Sequence, residues 1–163
     1  MRTNAKLLIV SILFLFWVVM NGFSCKEKAE NVRIIFYHQG QETGVSPEQS
    51  GFLDLIKTTE DLLVTADDML KLDVDPELIE QIKKKGSAIE IIYPKSIELT
   101  SNYDKQTIYP DRILIPLSGE FVGEEENPTA IIFHGYPAYS SGPYSNSKGI
   151  KELKEILQAM GIK

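Results

Sequence analysis

The chain has two histidines, His38 and His134, and each directly follows an apolar run with strand chemistry. The runs are Ile34-Ile35-Phe36-Tyr37 and Ile131-Ile132-Phe133. If the two strands were neighbours, both rings would stand at one sheet end. A carboxylate such as Glu90 could then complete a small hydrolase or a catalytic zinc centre, which takes three protein ligands and one water. No short-spaced ligand pair supports that arrangement. The plainer reading has each ring ending a strand and bonding a loop, with no metal and no cofactor. Glu90 itself lies among Ile89, Ile91 and Ile92. Held inward, it would be a buried acid with a raised pKa; on a strand with one solvated face it points outward. The period of two favours the outward placement.

The segment between Gly135 and Ser147 has the most unusual composition, with three tyrosines, four serines, two prolines and two glycines. Hydroxyls and backbone N–H groups before a helix favour anions, and tyrosines offer contact area with a polar tip. The candidate ligand-binding set is therefore Tyr136, Tyr139, Ser140, Ser141, Tyr144 and Asn146, with His134 and His38 beside it. The same segment also reads as an ordered surface loop in which Asn146 or Ser147 caps the last helix. No catalytic residue is assigned. His134-Gly135 occupies the place of an α/β-hydrolase oxyanion segment, yet the chain contains no Gly-x-Ser-x-Gly nucleophile elbow. Asp73-Val74-Asp75-Pro76-Glu77 has the acidic spacing of a calcium loop, but Leu78 replaces the needed glycine and Lys84 the terminal glutamate.

The elements that must position these residues follow from periodicity. Val32–Tyr37 reads as a first strand, and Ser46-Pro47-Glu48-Gln49 as a helix start with a capping box. Apolar positions from Phe52 to Leu70 keep helical spacing, as one helix or as two broken near Lys57-Thr58-Thr59. Asp75 caps the next helix, with Pro76 at its first position, Lys83-Lys84-Lys85 in its last turn and Gly86 as its stop. Ala88–Tyr93, Arg112–Leu117 and Thr129–Phe133 read as strands, the last two joined by a hairpin loop over Ser118–Pro128. Pro110 and Pro116 push the Arg112 strand towards an edge or an irregular end. A helix from about Ser147 to Met160 ends at Gly161. The order β-α-α-β-β-β-α predicts a two-layer α+β domain: a mixed or antiparallel sheet of about four strands, with three to four helices packed on one face.

The first 25 residues carry a different message. Arg2 and Lys6 precede the apolar stretch Leu7–Met20, which is broken at Asn21-Gly22 before Phe23-Ser24-Cys25. Its 14 residues fall short of the roughly 20 needed to span a bilayer and match an export signal. Gly22-Phe23-Ser24-Cys25 resembles the lipobox of bacterial lipoprotein precursors; Ser24 and Cys25 fit its commonest form, while Gly22 and Phe23 depart from it. The resemblance implies cleavage before Cys25 and acylation of that residue. Cys25 is the only cysteine in the chain, so it has no internal disulfide partner. Ordinary cleavage after Ser24 would leave it unmodified at the new terminus. The expected organisation is a signal peptide over 1–24, a lipidated tether over 25–31 and a single domain over 32–163.

Charge limits the partners. Residues 1–24 hold two of the 17 basic residues and none of the 23 acidic ones, which leaves 15 basic against 23 acidic, a net charge of −8. Such a domain is unsuited to nucleic acid or to anionic headgroups. The expectation is a lipoprotein on the extracytoplasmic side of a bacterial membrane, held in the bilayer through acylated Cys25. Its non-catalytic domain would bind an envelope protein or a small ligand.

Overall fold

The structure, a computed structural model, describes residues 31–162. The expected signal peptide, Cys25 and all of the expected tether before Asn31 lie outside the described residues. Among those described, no helix is long and apolar enough to cross a membrane.

Four strands form the centre of the sheet: β1 (Arg33–His38), β4 (Ser87–Ile92), β7 (Arg112–Pro116) and β9 (Asn127–Gly135). Shorter strands extend it, namely β2 (Gln41–Val45), β3 (Asp68–Met69), β8 (Val122–Glu124) and β10 (Tyr144–Asn146). The order is β2-β1-β4-β7-β9-β10-β3, β8 also pairs with β9, and every pairing is antiparallel. A separate two-stranded hairpin is made of β5 (Leu99–Thr100) and β6 (Thr107–Ile108). The helices are α1 (Phe52–Val64), α2 (Pro76–Lys85) and α3 (Lys151–Ala159).

Cross-strand register decides what each face carries. Ile35, Glu90, Leu114 and Phe133 are successive partners on one face, and Ile34, Ile91, Ile113 and His134 on the other. Helix α2 covers the first face, where Ile79 and Ile82 pack with Tyr37, Ala88, Leu114 and Phe133. Helices α1 and α3 pack together over the second; Asn146 on β10 donates from Nδ2 to the Leu62 carbonyl of α1 at 2.8 Å. The domain is thus α+β with three helices, in three layers around eight strands. The expected two-layer arrangement, its four-stranded sheet and its element order are corrected. The Ile-Ile doublets of β1 and β4 mark strands buried on both sides, a pattern that needs helices above and below. The four extra strands are short and polar and carry no alternation to reveal them.

Local signals met mixed outcomes. Asp75 caps α2 as expected, its Oδ1 accepting from the Leu78 N–H at 2.7 Å, with Pro76 first in the helix. Helix α1, by contrast, begins at Phe52 behind Gly51, whose φ of 96° is left-handed, and Ser46 bonds the Glu48 carboxylate instead of opening a helix. Helix α3 starts at Lys151 without a side-chain cap, because Asn146 is held in β10. β7 is central, not an edge. Its ladder to β9 stops at Leu114, two residues before Pro116, so the missing proline N–H breaks nothing on that side.

Candidate functional site

Glu90 is 3 % exposed and points towards α2, contrary to the outward placement the alternation suggested. A strand covered on both faces has no solvated side to offer it. Three donors converge on the carboxylate. The Tyr37 hydroxyl reaches Oε2 at 2.6 Å, Lys83 Nζ reaches Oε2 at 2.9 Å, and the Tyr139 hydroxyl reaches Oε1 at 2.5 Å. The same ammonium lies 4.8 Å from the centroid of the Tyr37 ring, a cation–π contact that helps fix it.

Each donor arrives for a legible reason. Tyr37 shares the Glu90 face of the sheet, one pleat along β1 from Ile35. Lys83 stands one helical turn after Ile79 on α2, so it falls on the packed side of the helix with Ile79 and Ile82. Tyr139 is brought back by a sharp reversal after β9. Gly135 and Tyr139 pair, the Ser140 N–H donates to the His134 carbonyl at 2.8 Å, and a Cβ on Gly135 would stand 1.9 Å from the Ala138 carbonyl oxygen. Only glycine fits there.

Between α2, β4, β7 and this reversal lies a cleft of about 310 Å³. Val74, Ile79, Lys83, Glu90, Arg112 and Tyr139 are among its walls. Arg112 stands opposite Ile92, two positions along the ladder from Glu90 and so on the same face, and is paired with Asp111, Nε to Oδ1 at 2.9 Å.

Electrostatics hold the site in one protonation state. Burial pushes the Glu90 carboxyl up, but the hydrogen bonds from Tyr139, Tyr37 and Lys83 and the lysine charge outweigh it, leaving the group below its ordinary value. It is an anion, not the raised-pKa acid that a general acid requires. Burial first, and then the neighbouring Glu90, push both the Tyr37 and Tyr139 hydroxyls well above the usual phenol range. The pair Arg112–Asp111 raises the guanidinium further.

No protein-family model, curated protein or solved structure matches this chain.

The residues singled out in the sequence do not form one cluster. β1 and β9 are separated by β4 and β7, and register puts His38 opposite Ser87 but His134 opposite Ile113, at the other end. Both rings face away from Glu90. His38 is exposed and bonds Ser87 Oγ through Nδ1 at 2.8 Å. His134 is buried and stacks on Tyr144 with centroids 5.3 Å apart. Burial lowers its pKa, and Asp104 opposes that in part. The Tyr144 hydroxyl donates to Asp104 at 2.9 Å and is pushed up to about 12, by burial and then by that bond. Among the described residues no three His, Cys, Asp or Glu side chains group around a metal position. The Tyr/Ser segment is divided as well. Tyr139 enters the cleft, Tyr144 and Asn146 are buried under α1, and Tyr136 is 66 % exposed. Ser141 accepts from the Val74 N–H at 3.3 Å, while Ser140 is exposed. Sequence reasoning missed Tyr37, Lys83 and Arg112. For Lys83 the signal was present in its helical spacing from Ile79, masked by the neighbouring lysines.

Proposed function

We propose that this protein is an exported lipoprotein, anchored in a bacterial membrane through acylated Cys25, whose folded domain is a non-catalytic binding module. The order of basic residues, apolar stretch and sole cysteine supports the anchor. The observation that carries the binding reading is the cleft. Its carboxylate is ionised and held by three protein donors, and its guanidinium is paired with Asp111, so neither is poised to exchange a proton at neutral pH. Shape and fixed charge, rather than a nucleophile with its base, are what it offers a ligand. Both histidines lie on the sheet face opposite Glu90, which supports a binding module over a metal or hydrolytic enzyme built on His38, His134 and Glu90.

The test of the anchor is fractionation of cells producing the full chain or Cys25→Ser. The wild-type protein is expected in the membrane fraction at the mass of a processed, acylated chain, and the variant released from it. Equal membrane association, or an intact mass beginning at Met1, would overturn the reading.

A further inference from the structure

The hydrogen-bonding capacity left open in the cleft is largely that of donors. Lys83 Nζ has three protons and, among the described residues, one protein acceptor, Glu90. Arg112 has five N–H protons; Nε and Nη2 each give one to Asp111. That leaves two protons on the ammonium and three on the guanidinium. Both groups are withdrawn from solvent, the lysine side chain being 16 % exposed and the arginine 29 %. The Glu90 oxygens are already engaged by Tyr37, Tyr139 and Lys83. Partly buried donors without acceptors are unfavourable unless water or a ligand satisfies them. Val74, Ile79, Pro137 and Ala138 supply apolar wall beside them. Glu90 and Asp111 balance the two cations, and beside them Asp75 and Glu80 are exposed and acidic, Glu80 reaching only the solvated Lys84 at 3.3 Å. Those acids oppose a ligand carrying several negative charges.

Resting on the binding-module reading, we infer that the cleft receives a small monocarboxylate, its head between Lys83 and Arg112 and its apolar body against Ile79 and Pro137. A free acid and the C-terminal carboxylate of a peptide present the same chemistry. The cleft's size suits either, since small-molecule sites begin at roughly 300 Å³.

The test is calorimetric titration of the purified full chain in detergent with four probes: butanoate, butanamide, acetyl-Ala-Ala and its C-terminal amide. At least one acid is expected to bind near about 1 mM and roughly tenfold or more tighter than its amide, the ratio set by charge-assisted hydrogen bonds. Butanoate binding alone assigns a free acid; tighter dipeptide binding assigns a chain end. Arg112→Gln, in which the charge is lost but Glu90 keeps its three partners, should weaken the acid about tenfold and leave the amide unaffected. Lys83→Gln should act likewise, with circular dichroism confirming that it folds. An amide binding as well as its acid, an Arg112→Gln protein with unchanged acid affinity, or displacement of the acid by equimolar inorganic phosphate would each overturn the carboxylate while leaving the cleft a binding seat. Failure of all four probes at about 10 mM would overturn both.

Discussion

Glu90 is the residue on which the first face of the sheet depends. Removing one partner of a buried ion pair strands the other, which costs about 3–5 kcal/mol. Urea denaturation of Glu90→Ala should show a loss of that order, whereas Tyr139→Phe, which deletes one hydrogen bond to an anion, should cost about 1.5–3 kcal/mol. The pH dependence follows from the same residue together with His134. A carboxyl held below its ordinary 4.5 contributes stability above that pH, and the contribution is lost as pH falls through its folded value. His134, held below 6.5, behaves alike: the unfolded chain gains a proton first, so stability declines from about pH 6.5 downward. Tyr37 and Tyr139 run the other way. Their hydroxyls keep protons that the unfolded chain gives up above about pH 10, so stability falls there on the alkaline side. Melting temperatures from pH 3 to 11 should show these three declines; His134→Phe should remove the one that begins near 6.5. Glu90 was visible in the sequence as an acid among isoleucines, but alternation alone could not tell a half-solvated strand from a doubly covered one.

Elements were legible in proportion to how local their signals are. Helix α2 was read from its cap, its first proline and its terminal glycine, all of which act within one turn. Asp75→Ala should therefore cost about 1 kcal/mol in thermal unfolding, the usual worth of such a cap. The four central strands were also recognisable from their isoleucine-rich runs. What the sequence concealed was pairing. β10 forms from Tyr144-Ser145-Asn146 only because β9 and β3 flank it, and that environment is set by residues some 75 positions away along β3. The reversal after β9 belongs to the same class. Gly135→Ala cannot keep the Ala138 carbonyl where it is, so the loop must move and draw Tyr139 away from Glu90. The expected reading is a loss of stability at least as large as that of Tyr139→Phe, with the Tyr139 hydroxyl exposed to solvent.

At the scale of the molecule, two apolar layers meet a sheet that is buried on both sides over β4 and β7. Val32–Lys163 forms one compact unit with cores on both faces of its sheet. A fragment beginning at Val32 is expected to unfold in a single cooperative transition, with far-ultraviolet dichroism and tyrosine absorbance coincident. Two separate transitions would show that the layers do not act together. The sequence announced how much core there was to bury, but not that it would be divided between two faces. That division depends on which strands become neighbours.

The position of β1 has a mechanical consequence. The chain enters the sheet at Arg33, and β1 is not a border strand: β2 flanks it on one side and β4 on the other. Tension drawn along that strand loads both ladders in shear, many hydrogen bonds at once, rather than peeling them apart singly. A domain pulled from its Val32 end would then resist extension better than one whose first strand lay at the border of its sheet.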